Sequence, residues 1–96
     1  MADTAELAIA ISRLIETSPL PVPIKLMNHC VEEAAAIIGA VLEKCDRDGI
    51  KLDQVCLDPE LSLELGLAEG VALPHGCRPT VHLEAGLGRQ VLFKRR

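Results

Sequence analysis

Tryptophan and tyrosine are absent from this chain, and Phe93 is its only aromatic residue. That speaks against recognition of RNA or single-stranded DNA, which depends on aromatic platforms for base stacking. The core must be assembled from Leu, Ile, Val and Ala, whose contacts are smaller, so a homodimer that shares its core is expected. No run approaches the ~18 consecutive apolar residues of a membrane-spanning helix. Asp3 and Glu6 occupy the N-terminal region where a signal peptide carries a basic patch. The expectation is a cytoplasmic protein with no membrane association. Cys30, Cys45, Cys56 and Cys77 lie at wide, irregular intervals and form no Cys-x-x-Cys pair. Without a secretory signal, they read as buried, small apolar side chains rather than as a disulfide framework.

The 96 residues suffice for one domain, and 49% of them are apolar. Charge is unevenly distributed. Residues 1–76 hold thirteen Asp/Glu against five Lys/Arg, a net of −8, and residues 77–96 hold one against five, a net of +4. An acidic body with a basic tail at Lys94-Arg95-Arg96 fits intersubunit or self-complementary contact better than nucleic-acid binding.

Helical periodicity begins at once. Asp3 is placed to cap a helix over residues 4–17, with Glu6 completing a capping box, and Leu7, Ile11, Leu14 and Ile15 form the apolar face. Ser18-Pro19-Leu20-Pro21-Val22-Pro23-Ile24 alternates proline with other residues and reads as a stiff structural strap over 18–24. It lacks the Pro-x-x-Pro spacing of a polyproline ligand. A second helix is expected over 28–47, capped by Asn28, with Val31, Ala35, Ile38, Leu42 and Cys45 as its stripe and Ala34, Ile37 and Val41 broadening it. Ala35, Ala36, Gly39 and Ala40 leave one side nearly bare for close approach of another element, and Glu43 is spaced to pair with Arg47. Gly49 supplies a left-handed stop, with Ile50 folding back on the last turn. Asp46-Arg47-Asp48-Gly49 resembles a calcium loop, but the first and twelfth ligand positions would be Lys44 and Val55, which excludes it.

Ile50–Leu52 and Val55–Leu57 read as extended. Asp58-Pro59 starts a short helix that ends at Gly66. Strands are expected at Val71–Leu73, Thr80–Leu83 and Gln90–Phe93, the last two around a loop with Gly86 and Gly88. Two helices followed mostly by strands predict a single α+β domain over residues 1–96, the helices packed on a small C-terminal sheet. Its core should hold Leu7, Ile11, Leu14, Val31, Ile38, Val41, Leu42, Val71, Val81, Val91 and Phe93.

One segment carries a recognisable pattern. Glu60 is followed, after six free positions, by Leu67-Ala68, then after two more by Val71-Ala72-Leu73-Pro74-His75-Gly76. This resembles the phosphohistidine signature of enzyme IIA, fructose/mannitol type, of the sugar phosphotransferase system. The resemblance covers about residues 32–76. It implies that His75 accepts a phosphoryl group from a phosphocarrier protein and passes it to a transport partner, with His82 as a candidate supporting histidine. An imidazole has one unprotonated nitrogen at neutral pH and is a competent nucleophile. Backbone amides at Gly76 and Cys77, with the Arg78 cation, would face the phosphoryl oxygens.

His29, Cys30, His75, Cys77 and His82 could in principle ligate a metal, but standard zinc spacings are missing, and no metal or cofactor is expected. Nothing fixes a base beside any cysteine. With no complete catalytic constellation and little chain to wall off a pocket, the leading expectation is a small, non-catalytic domain that binds another protein as regulator, inhibitor or assembly subunit. The phosphoryl carrier is the alternative.

Overall fold

The computed structural model describes residues 3–19, 21–26, 28–66, 77–81 and 90–95. Its elements, in chain order, are α1 (Thr4–Thr17), β1 (Val22–Lys25), α2 (Val31–Arg47), β2 (Leu52–Leu57), α3 (Pro59–Glu64), β3 (Arg78–Val81) and β4 (Gln90–Arg95). The four strands form one sheet in the order β1-β4-β2-β3. β4 runs antiparallel to both β1 and β2, and β2 pairs in parallel with β3. The last strand thus slots between two that are joined through α2. The protein is an α+β domain, as its pattern of helical and extended segments predicts, but the order differs from helix, helix, strands. β1 interrupts the helices, and β3 and β4 are separated by β2 instead of pairing around a loop.

α1 occupies the predicted residues, but its buried side is Ala8, Ile11, Ser12 and Ile15. Leu14, expected in the core, is 49% exposed, and Leu7 is only half-buried. The buried face is therefore rotated from the one the leucines suggested. Ser12 tolerates burial because its hydroxyl donates to the Ile9 carbonyl at 2.9 Å. Asp3 sits at the N-cap position, yet its side chain makes no capping hydrogen bond. The capping box with Glu6 has lost its first half.

The strap is also a strand. Val22–Lys25 pairs with β4, with Val22 opposite Phe93 and Ile24 opposite Val91. Pro23 is tolerated because β1 is an outer strand, where a missing N–H need not break a ladder on both sides. β3, the other outer strand, carries Pro79 in the same situation.

α2 starts at Val31 with Cys30 at the N-cap, three residues later than expected, and Asn28 lies in the preceding turn. Its predicted stripe is buried except for the half-buried Val31. Of the small residues, Ala35 is buried and Ala36 exposed. A Cβ added at Gly39 would meet nothing within 4 Å, so no element approaches closely there. The ion pair in the last turn is Lys44 with Asp48 at 3.1 Å rather than Glu43 with Arg47.

Gly49 ends the helix at φ 73°. α3 is capped as its sequence requires: the Asp58 carboxylate accepts from the Leu61 amide at 2.8 Å, and Gly66 follows at φ 73°.

One face of the sheet presents Val22, Val55, Leu57, Val91 and Phe93 to Ala8, Ile11, Ile15, Ile38, Val41 and Leu61 of the helices, forming a single core. Phe93 lies between Val22 and Val55 of its neighbouring strands and is 1% exposed. Burying it contributes about 2–3 kcal/mol. Arg95 also points to the helical side. Its guanidinium donates to the carbonyls of Glu16 and, at 3.2 Å, of Ser18. α1 has no basic residue in its last turn, and this cation from β4 fills that role at the helix C-terminus. Lys94 and Arg95 therefore belong to a strand instead of a free basic tail. Val71, expected in the core, and the strand at 71–73 fall outside the described residues, as do residues 82–83 and the loop with Gly86 and Gly88.

Candidate functional site

His75, Gly76 and His82, the heart of the sequence-predicted site, lie outside the described residues. Of that site the fold positions Cys77 and Arg78. Cys77 is buried and joins the core cluster. Arg78 is exposed at the first position of β3, paired across the ladder with Gln54 of β2. The third histidine, His29, precedes α2 rather than lying on it, with Nδ1 3.3 Å from the Glu33 carboxylate. Among the described residues no group of three or more His, Cys, Asp or Glu side chains is arranged to hold a metal ion. No disulfide links the four cysteines.

The sheet has a second face. Register places Lys94, Gln54 and Arg78 in one row across β4, β2 and β3, and Leu92, Cys56 and Thr80 in the next. The Gln54 amide donates to the Thr80 hydroxyl. A bulge at Asp53 sets these rows, because Leu52 pairs with Arg95 while Gln54 pairs with Lys94. The extra residue, Asp53, carries its carboxylate to 3.8 Å from the Lys94 ammonium. Cys56 is buried yet stands apart from the main core cluster. Burial pushes its thiol up, while a hydrogen bond with Thr80 and the Lys94 charge pull the other way. A thiol held protonated is a poor nucleophile at neutral pH. Cys45 is further from reactivity: burial, reinforced by Asp48 and Glu16, pushes it up to about 11. Neither thiol supplies a nucleophilic centre.

The helical side offers a different surface. Ala5, Ala8 and Ile9 of α1 and Ala40, Glu43, Lys44 and Arg47 of α2 line a groove of about 290 Å³. Its floor is alanine and its rim carries both signs of charge. Ile9 is 42% exposed at its edge. A broader cleft of about 580 Å³ lies where the two helices begin, between Asp3, Thr4 and Leu7 and Asn28, His29, Glu33 and Ile37. Its charged groups are mostly acidic.

Sequence reasoning found Arg78 but missed the row to which it belongs. Lys94, Gln54 and Arg78 come from three strands and are brought together by pairing, so no local spacing announces them. Comparison with protein-family models, curated proteins and solved structures finds no match to this chain.

Proposed function

We propose that this chain is a small, non-catalytic protein-binding domain, a regulatory or assembly subunit that pairs with a second copy of itself. The observation that carries the reading is Ile9, 42% exposed beside an alanine-floored groove between α1 and α2. An isoleucine at the edge of an apolar groove gains by contact with another apolar surface. The rim favours self-recognition, since Glu43, Lys44 and Arg47 border the groove with both signs of charge. In a two-fold pairing, one copy's acids meet the other's bases in both directions. A stable pairing buries about 800 Å² on each partner, so it would take in the outer faces of both helices. No helix among the described residues is long and apolar enough to cross a membrane.

Light scattering behind a sizing column tests this. The expected mass is that of a dimer, reduced to the monomer by Ile9→Asp. A strict monomer at the highest attainable concentration would overturn the reading.

A second reading is that His75 is a phosphoryl acceptor in an enzyme IIA-like domain. What supports it is the residue pattern from Glu60 to Gly76 and the exposed Arg78 cation, three positions past the histidine. Incubation with the general phosphocarrier proteins and phosphoenolpyruvate, followed by intact mass, tests it. A phosphoryl gain lost in His75→Ala is expected. An equal gain in that variant, or none in the wild type, ends the idea.

A further inference from the structure

We propose that the sheet face opposite the helices binds an extended acidic segment of a partner protein through Lys94 and Arg78. The two cations flank Gln54 in one cross-strand row. With strands about 4.8 Å apart, their backbones stand about 10 Å from each other. An extended peptide places alternate side chains about 7 Å apart on one side, within reach of these two long, mobile cations. The Lys94 side chain is 51% exposed, and Arg78 is exposed as well. Lys25, also exposed, stands on the same face opposite Gln90, about 13 Å along β4 from Lys94. Gln54 lies between the two charges, and the half-buried Thr80 and Leu92 stand in the next row on either side of the buried Cys56, offering a hydrogen bond and some apolar contact to a chain laid across the sheet.

The rest of the molecule narrows the partner. α1, α2 and α3 carry eight carboxylates against three cations. A long polyanion such as a nucleic acid would meet that acidic side as soon as it ran past the sheet, whereas a short acidic segment is complementary to the face alone. The face also lacks an aromatic residue for base stacking, since Phe93 points to the core. Asp53 is the resident competitor. Its carboxylate lies 3.8 Å from Lys94, a loose pair that an incoming carboxylate would displace.

Fluorescence anisotropy of a labelled polyglutamate peptide, titrated with the intact protein, tests the proposal. Binding is expected at about 50 mM salt and should fade near about 500 mM, where the Debye length is a few ångströms. Lys94→Gln and Arg78→Gln should each weaken it roughly three- to tenfold, as loss of one charge-assisted contact does. Arg13→Gln, which removes an equal charge from the exposed side of α1, should leave it unchanged. Asp53→Asn should tighten binding about twofold, a gain that misfolding cannot imitate. Four results would overturn the assignment: no binding by the wild type, an equal loss in Arg13→Gln, no gain in Asp53→Asn, or equally tight binding of an oligothymidylate of matched length. These outcomes are independent of whether α1 and α2 pair two copies.

Discussion

The amide of Ile50 donates to the carbonyl of Cys45 at 2.9 Å, closing the end of α2 around Gly49. The Gly49 amide meets the Asp46 carbonyl at 3.3 Å, and together the two bonds form a Schellman cap that requires the left-handed φ of 73°. Gly49→Ala should therefore destabilise the protein by about 1 kcal/mol from backbone strain alone, because the new methyl meets nothing within 4 Å. Gly39 has equally open space but lies inside the helix, so Gly39→Ala should stabilise by about 0.5–1 kcal/mol. Urea midpoints of the two variants should move in opposite directions. A shift of the same sign for both would show that the cap is not the deciding term.

The two aspartates at helix starts should behave differently. Asp58 accepts the Leu61 amide and is 8% exposed, so Asp58→Ala should cost about 1–2 kcal/mol. Asp3 makes no such bond, and Asp3→Ala should change stability by less than about 0.5 kcal/mol. Thermal melts of both variants would check the contrast, and equal losses would contradict it.

Cys45 should make the fold sensitive to alkali. Its thiol goes from about 9 in the unfolded chain up to about 11 when folded. The folded state therefore holds the proton more tightly, so the contribution is complete below pH 9 and drains away as pH rises toward 11. Its size is about 2–3 kcal/mol at most. Cys45→Ala lowers stability at neutral pH by leaving a small void, but that penalty does not titrate. The gap between wild type and variant should shrink as pH rises from about 9 toward about 11 in urea titrations, following the sign of the linkage. A gap independent of pH would remove Cys45 as the source.

Thiol labelling should sort the cysteines by burial. Cys30 is exposed at the start of α2, whereas Cys45, Cys56 and Cys77 are buried. A short iodoacetamide pulse on the native protein should add one group, at Cys30, and Cys30→Ser should abolish that fast addition. Further fast adducts would mean that the sheet opens readily around Cys56 or Cys77.

Elements written by local chemistry were legible in the sequence. The Gly49 stop, the Asp58-Pro59 start and the α2 stripe each follow from residues within a few positions of one another. β1 was not, because its strand character comes from pairing Val22 with Phe93, seventy-one positions away, and alternate prolines describe a linker equally well. The exposed Leu14 has the same cause. Its helix could turn either side inward, and the sheet selected Ala8 and Ser12. At the candidate site, Arg78 could be named from its place after His75, whereas its alignment with Gln54 and Lys94 depends on a bulge at Asp53 that no residue advertises.

The prolines of the outer strands bear on what happens in concentrated solution. Pro23 and Pro79 stand one on each flank of the sheet, and neither offers an N–H to an incoming strand. Edge-to-edge polymerisation, the usual hazard of a sheet this rich in valine and leucine, is opposed at both edges of the described sheet. Association through side-chain surfaces is thereby favoured over strand addition at these edges.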